Sequence, residues 1–157
     1  MNRELIRLNL GCADIILKDY VNVDIGPPAD TIANLSLPWP WETSSVAYVM
    51  AHDVIEHIAD RVHFMNELHR VMAPGAQVEI ITPNAAKGAG FAQDPTHRSM
   101  WCLNSFQYYQ AGSFAVNRLA KNYGITARFK IIDLHEDSYV DAYEEVWKIY
   151  AQLEAVK

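Results

Sequence analysis

The stretch that decides the fold is Leu8-Asn9-Leu10-Gly11-Cys12-Ala13, followed by Val21-Asn22-Val23-Asp24. Each half predicts a short apolar strand, with a glycine turn after the first strand and a carboxylate at the end of the second. A glycine lets the chain turn sharply and leaves backbone N–H groups facing a ligand, while an acidic residue closing the next strand can accept hydrogen bonds from both ribose hydroxyls. The pattern therefore predicts a nucleoside site at Gly11, Cys12, Ala13 and Asp24.

A dinucleotide site of the NAD type fits this stretch less well. The usual fingerprint has three glycines, whereas here Gly11 is the only one and Ala13 stands where a second would be. Asp24 follows Gly11 by 13 residues, against about 20 in the dinucleotide motif, which leaves room for only a turn or two of helix. An NAD-linked enzyme of the same general fold is therefore the least favoured of three hypotheses for the function.

The rest of the chain alternates between strand and helix patterns, which is typical of an α/β protein. Strands are predicted at about 5–10, 21–25, 46–51, 77–82 and 126–134, with a short extended piece near 31–34. Helices are predicted at about 54–58, 60–72, 103–109, 113–123 and 141–155. The last helix rests on apolar residues that recur at three- and four-residue steps: Val140, Tyr143, Val146, Trp147, Tyr150 and Leu153.

Composition predicts one small cytoplasmic domain over residues 1–157. Half of the 157 residues are hydrophobic, which suffices for one core, and Cys12 and Cys102 are too few for a disulfide framework. We expect no signal peptide and no membrane segment, because no long apolar run occurs. A net charge of −6 without a basic cluster argues against a nucleic-acid partner. The expected partner is a small molecule, and the oligomeric state is left open.

Several segments together resemble a known family. In order they read "LNLGC", "VNVDI", "LSLPWPWETSSVAYVMAHDVIEHI" and "LHRVMAPGAQVEIITPN". Over about residues 5–110 this order is similar to the class I S-adenosylmethionine-dependent methyltransferases, in particular the short methyltransferase type 11 branch. The resemblance implies a Rossmann-like, doubly wound and mostly parallel sheet with helices on both faces. It also implies S-adenosylmethionine as the cofactor and methyl transfer to an unidentified acceptor.

The resemblance also implies roles for residues that follow the early strands. Asn34 and Leu35 occupy the position near the adenine, and His52 is placed near the methionine portion or the transferring methyl group. Each role has a purely structural alternative. Asn34 could be a loop residue that is hydrogen-bonded to local backbone, and His52 could be a histidine that is hydrogen-bonded to a neighbouring carbonyl. Asp53 and Glu56 have the spacing of a helix capping box, which predicts a structural rather than catalytic role.

No metal site is expected from the sequence. His57, His63 and His69 recur at six-residue steps, which do not align on one face of a helix. His52 and His57 likewise lack the paired spacing of a helical metal motif.

The predicted loop over residues 83–100 is the longest in the chain, and a loop of that length is usually functional or mobile. It contains Asp94-Pro95-Thr96-His97-Arg98, and a similar "DPTHR" occurs in some relatives of the resembled branch. The hypothesis is that His97 accepts a proton in the acceptor pocket and that Asp94 orients its ring. The alternative is an Asp-Pro turn with a solvated histidine and arginine.

The chemistry of methyl transfer limits what the sequence can show. A sulfonium carries its own leaving group, so the enzyme mainly aligns the acceptor, and a base is needed only for a protonated acceptor. The strand at 46–51 is followed by His52-Asp53-Val54, which lacks the Asn/Asp-Pro-Pro-aromatic run of enzymes that methylate amino groups of adenine or glutamine. A small-molecule or glycan-like oxygen acceptor is favoured. The second alternative is a cofactor-binding module without catalysis, suggested by Ala13, Asn34 and the compact chain.

Overall fold

A seven-stranded sheet organises residues 4–157, the part of the chain that this computed structural model describes. Its strands are β1 (Ile6–Leu10), β2 (Val21–Asp24), β3 (Thr31–Ile32), β4 (Val46–His52), β5 (Met72–Gly88), β6 (Phe129–Asp141) and β7 (Glu144–Ala155). The α-helices are α1 (Arg61–Val71) and α2 (Phe114–Arg118), and short 3₁₀ helices cover Ile55–His57, Leu103–Tyr108 and Ala120–Tyr123.

The strand order creates a switch point in the middle of the sheet. The order is β3-β2-β1-β4-β5-β7-β6, with β1 to β5 parallel and β7 antiparallel to both of its neighbours. β1 has β2 on one side and β4 on the other, so the chain changes direction across the sheet there. Open α/β sheets bind ligands outside the carboxyl ends of the strands at such a point. The predicted Rossmann-like, mostly parallel sheet with helices is confirmed.

The central strands form because their apolar residues are buried against helices and loops. Leu8, Leu10, Val49, Val78 and Ile80 are inaccessible to solvent, as expected of parallel strands that are covered on both faces. One apolar face of α1 packs on this core through Phe64, Met65, Leu68 and Val71.

The helices are short, and α1 has a regular beginning. The Asp60 carboxylate accepts a hydrogen bond from the His63 N–H and so caps the first turn of α1. Among the described residues, none of the helices combines the length and the apolar character that spanning a bilayer would require.

The predicted final helix over 141–155 is wrong, because this segment is strand β7. Ile149, Ala151, Leu153 and Ala155 are buried and alternate with half-buried residues, which is the period of a strand. Two residues that supported the helical face, Val140 and Tyr143, are 79% and 96% exposed. β7 pairs with β6 along its length, so the antiparallel pair at the end of the sheet is complete.

Two further differences concern connections. The segment between β1 and β2 contains turns and no helix, so the predicted turn or two of helix there is wrong. β5 continues to Gly88, which shortens the predicted loop at 83–100 to residues 89–100. β6 begins at Phe129 and ends at Asp141, later at both ends than predicted.

Candidate functional site

A cavity of about 470 Å³ opens at the switch point, and we call it the first cavity. Its walls come from the residues that follow or end β1, β2, β3 and β4, with further contributions from the loops. The lining residues are Gly11, Ala13, Asp24, Ile25, Ala33, Asn34, Leu35, Asp53, Val54, His57, Ile58 and Thr96. The volume lies in the range of small-molecule and cofactor sites.

The turn after β1 has a shape that requires glycine at position 11. Gly11 has a φ of +65°, and a Cβ added there would lie 2.6 Å from the Cβ and Cγ2 atoms of Val54. Ala13 also has a left-handed φ of +43°. The Cys12 side chain is only 2% exposed, and its backbone N–H donates to the Val23 carbonyl at 3.1 Å. Cys12 therefore shapes the turn through its backbone, while Gly11 and Ala13 face the cavity.

The Asp24 carboxylate is fixed at the mouth of this turn. One of its oxygens accepts the Ala13 N–H at 2.9 Å, and the other accepts the Ile25 N–H at 2.7 Å. Each carboxylate oxygen can accept more than one hydrogen bond, so both remain able to bind ligand hydroxyls. Asp24 lines the first cavity, as a ribose-binding residue must.

Asn34 and Leu35 also line the first cavity, on the side formed by the segment after β3. The Asn34 side-chain oxygen accepts the Ser36 N–H at 3.0 Å. This is the local backbone hydrogen bond that is expected if Asn34 is a structural loop residue. Leu35 is buried, and its carbonyl accepts the indole N–H of Trp39 at 3.1 Å. These bonds hold the segment in place beside the cavity.

His52, which the resemblance places near the methionine portion or the transferring methyl group, contacts Glu79 in the structure. Its Nε2 lies 2.5 Å from Oε1 of Glu79 on β5, and His52 does not line the first cavity. Glu79 is paired with Met50, so His52 and Glu79 are diagonal neighbours on one face of the sheet. From the end of β4 it is Asp53, Val54 and His57 that reach the cavity.

A second cavity of about 230 Å³ adjoins the first, and the two share Asp53 and His57. The loop over 89–100 and the β6–β7 hairpin form most of its other walls. Its lining residues are Asp53, Glu56, His57, Pro83, Gly90, Gln93, Asp94, His97, Tyr139, Val146 and Lys148.

Glu56 is a buried residue of this second cavity and not part of a capping box, so that prediction is wrong. The 3₁₀ helix Ile55–His57 begins after Val54, and no side chain in the described part of the chain caps it. Glu56 is 1% exposed; its Oε2 accepts the Thr82 hydroxyl at 2.9 Å, whereas its Oε1 has no hydrogen-bond partner among the described residues. Burial raises the pKa of the Glu56 carboxyl, and the hydrogen bond from Thr82 opposes that change only in part.

Asp53, the other half of the predicted capping box, forms an ion pair instead. Its Oδ2 lies 2.5 Å from the Nζ of Lys148 on β7, and its backbone has a left-handed φ of +50°. Burial opposes the charge of Lys148, but the hydrogen bond and attraction to Asp53 outweigh it, so the pKa of Lys148 is raised.

His97 and Asp94 are brought together in the second cavity. The His97 side chain is 7% exposed, which excludes the solvated histidine of the alternative interpretation. Its Nδ1 lies 2.8 Å from the Phe91 carbonyl, and its Nε2 lies 3.7 Å from Oδ2 of Asp94 and 3.9 Å from Oε1 of Glu56. Hydrogen bonds from the Thr96 hydroxyl and N–H lower the pKa of Asp94.

The loop is held against the site by backbone hydrogen bonds. The N–H groups of Arg98 and Ser99 both donate to the Glu56 carbonyl, at 2.7 and 2.9 Å, and the Ser99 hydroxyl donates to the Ile55 carbonyl at 3.1 Å. Three residues that line the second cavity were not predicted from the sequence: Glu56, Lys148 and Tyr139. Glu56 lies in the "HDVIEHI" segment that carried the resemblance, but its spacing from Asp53 predicted a capping box instead of a site residue. Tyr139 and Lys148 lie on β6 and β7, where the sequence pattern predicted a final helix.

Comparison with known proteins agrees with the resemblance to methyltransferases. Residues 10–80 match the family model of the type 11 methyltransferase domain. A SAM-dependent methyltransferase from Methanosarcina mazei has a similar structure, with 13% identity, a TM-score of 0.63, and coverage of 99% of this chain and 94% of that chain. No curated protein sequence matches the chain closely enough to be counted a relative.

Two further solved structures have the same fold. One is a Burkholderia thailandensis 1,6-didemethyltoxoflavin-N1-methyltransferase with bound S-adenosylhomocysteine, with 10% identity, a TM-score of 0.61, and coverage of 99% of this chain and 72% of that one. The other is the [4+2]-cyclase SpnF, with 11% identity, a TM-score of 0.62, and coverage of 99% and 76%.

The partial family match and the shared fold agree with the resemblance to the class I S-adenosylmethionine-dependent methyltransferases, whose cofactor is S-adenosylmethionine. The cyclase among the similar structures shows that this fold also supports other reactions, so the fold by itself does not define the reaction.

Proposed function

We propose that this protein transfers the methyl group of S-adenosylmethionine to a hydroxyl of a small-molecule or glycan-like acceptor. The observation that carries the proposal is the pair of adjoining cavities, which share Asp53 and His57 as a common wall. The first cavity is large enough for a nucleoside cofactor, and the second has the polar lining that a hydroxylated acceptor needs. A methyl group at this common wall would be close to both cavities.

The first cavity is the proposed cofactor site. Gly11 packs against Val54 with no room for a side chain and also lines this cavity, so the backbone of the turn would contact a ligand. Asp24 would accept hydrogen bonds from the ribose hydroxyls, and Asn34 and Leu35 would contact the adenine. Cys12 and Ala13 would contribute the backbone of the turn. We leave His52 outside the site because its ring is paired with Glu79.

The second cavity is the proposed acceptor site. When bound, S-adenosylmethionine supplies an activated methyl group, so the chain itself must align the acceptor oxygen and take up its proton. His97 lines this cavity. If Nδ1 of the neutral ring donates to the Phe91 carbonyl, Nε2 keeps its lone pair and can accept a proton. His97 would receive the hydroxyl proton, and Asp94 at 3.7 Å would stabilise the charged ring.

A turnover assay tests this proposal. The protein is incubated with S-adenosylmethionine and a panel of hydroxylated acceptors, and S-adenosylhomocysteine formation is measured. We expect acceptor-dependent turnover in the wild type and a loss of roughly 10²–10⁴ in His97→Ala, the usual contribution of a positioned base. Binding of S-adenosylhomocysteine without turnover on any acceptor would favour the non-catalytic cofactor-binding module.

A further inference from the structure

We infer that Glu56, His57 and His97 form a binding site for a divalent transition-metal ion at the inner wall of the second cavity. One carboxylate oxygen of Glu56 and one ring nitrogen of each histidine lie within 4.8 Å of one another. The residues come from a 3₁₀ helix and from the loop over 89–100, which the backbone bonds to the Glu56 carbonyl hold together. The existence of the site does not depend on methyl transfer; its effect on the acceptor rests on the proposed function.

The first reason is that hydrogen-bond acceptors converge there without a donor. Oε1 of Glu56 is buried and has no hydrogen-bond partner within residues 4–157, and Nε2 of His97 lies 3.9 Å from it. A second carboxylate, that of Asp94, lies 3.7 Å from the same nitrogen. An unpaired buried carboxylate oxygen is costly, and a cation bound between these atoms would compensate for it.

The second reason is that each proposed ligand is already held by another group. Nδ1 of His97 donates to the Phe91 carbonyl, Nδ1 of His57 lies 3.1 Å from the Thr96 hydroxyl, and Oε2 of Glu56 accepts the Thr82 hydroxyl. Metal-binding histidines and carboxylates in proteins are typically oriented by such outer partners. The three ligand atoms therefore need little rearrangement to close on an ion.

The local charge also favours a cation. Lys148 is the positively charged residue that lines this cavity, and its charge is neutralised by Asp53. The carboxylates of Glu56 and Asp94 remain, so the cluster is negative while both histidines are neutral.

The donor types indicate which ions fit. Two imidazole nitrogens with a carboxylate oxygen suit zinc, manganese, cobalt, nickel or iron, whereas magnesium and calcium prefer oxygen ligands alone. Three protein ligands leave further coordination positions, which would face the second cavity. An acceptor hydroxyl bound there would lose its proton more readily, as water does on a bound metal ion. In the ion-loaded protein His97 would then be a ligand, and the proton would leave to solvent.

Calorimetric titration with Zn²⁺ and visible absorption with Co²⁺ test the inference on protein purified without a histidine tag and treated with chelator. We expect one saturable site per chain in the wild type, and a visible band for bound Co²⁺. Glu56→Gln and His97→Ala should weaken binding on the order of 100-fold or more, since even outer-partner losses cost about 10- to 100-fold. Circular dichroism checks that each variant folds.

His135→Ala is the matched control. His135 and Asp133 form the exposed histidine–carboxylate pair on β6, with 2.6 Å between Nδ1 and Oδ2, so removing this histidine should leave the metal affinity unchanged. No saturable Zn²⁺ or Co²⁺ binding by the wild type, or equal binding by wild type and both cluster variants, would overturn the inference.

A titration with S-adenosylhomocysteine in the presence of chelator separates this inference from the proposed function. Cofactor binding without metal binding would contradict the metal site alone. Metal binding without cofactor binding would contradict the proposed function and leave the metal site supported.

Discussion

The backbone N–H of Ala13 donates a 2.9 Å hydrogen bond to the carboxylate of Asp24, which joins the turn after β1 to the end of β2. The two halves of the motif are thus one structural unit. Ala13 has a left-handed backbone, a conformation that costs a residue other than glycine free energy, and this hydrogen bond helps to hold it. The proposed ribose acceptor therefore also shapes the turn that the cofactor would approach.

Replacing Asp24 should affect both roles, and two substitutions separate them. Asp24→Ala should weaken S-adenosylhomocysteine binding by about ten- to a hundred-fold, because hydrogen bonds to a charged acceptor are worth roughly 1.5–3 kcal/mol. Asp24→Asn keeps one acceptor oxygen, so we expect it to retain more of the thermal stability than Asp24→Ala. Calorimetric titration and thermal unfolding measure the two effects. Wild-type affinity in Asp24→Ala would contradict the assignment of Asp24 to the cofactor site.

Gly11→Ala should destabilise the protein and abolish cofactor binding. The new Cβ would lie 2.6 Å from two atoms of Val54, and the φ of +65° disfavours any side chain. We expect a loss of about 1–3 kcal/mol in the free energy of unfolding, measured with urea. The double variant Gly11→Ala/Val54→Gly should remove both close contacts but keep the backbone strain. If Gly11→Ala by itself were as stable as the wild type, the close contact with Val54 would be refuted.

His52→Ala should leave the affinity for S-adenosylhomocysteine within about threefold of the wild type. The expectation follows from the 2.5 Å contact of the His52 ring with Glu79, which keeps the ring out of the first cavity. Any loss of stability should be small, about 1 kcal/mol or less, because the pair is partly exposed. A drop in affinity of more than tenfold, measured by calorimetry in a folded variant, would show that His52 belongs to the cofactor site.

Glu67 should contribute to stability in a pH-dependent way. It accepts a hydrogen bond from Nε of Arg70 at 2.6 Å and from the Trp39 N–H at 2.7 Å, and these bonds lower its pKa, the bond from Arg70 most. A carboxyl with a folded-state pKa below its unfolded value stabilises the fold above the unfolded pKa, about 4.3, and this contribution is lost as the pH falls through the folded-state pKa.

Glu67→Gln should therefore be less stable than the wild type at pH values near neutrality, and the difference should shrink on acidification. Urea unfolding of both proteins from about pH 7 to about pH 3 measures it. Parallel stability curves for the two proteins over this range would show that Glu67 does not carry the effect.

The strands around the switch point could be predicted because local sequence determines them. β1, β2 and β4 are short apolar segments that end in a turn or a polar residue, and such segments are buried in a parallel sheet. The same turn residues place Gly11 and Asp24 at the carboxyl edge of the sheet, beside the first cavity. Five of the seven predicted cofactor residues line the first cavity: Gly11, Ala13, Asp24, Asn34 and Leu35.

β7 and the second cavity could not be predicted, because both depend on distant partners. Apolar residues at steps of three and four occur by chance in a strand of mixed exposure, and only pairing with β5 and β6 shows that this segment is extended. Glu56 is buried because the loop over 89–100 folds back on its carbonyl, through hydrogen bonds that span about 40 residues of sequence. Without the folded structure, the spacing between Asp53 and Glu56 indicates a helix cap.

Calorimetric titration of the wild-type protein with S-adenosylhomocysteine and, in parallel, with NADH tests the assignment of the cofactor most directly. The first cavity, with Gly11 at its turn and Asp24 at its edge, predicts binding of one S-adenosylhomocysteine per chain and no measurable binding of NADH. No binding of S-adenosylhomocysteine at millimolar concentration, or tighter binding of NADH, would contradict the assignment of the first cavity to S-adenosylmethionine.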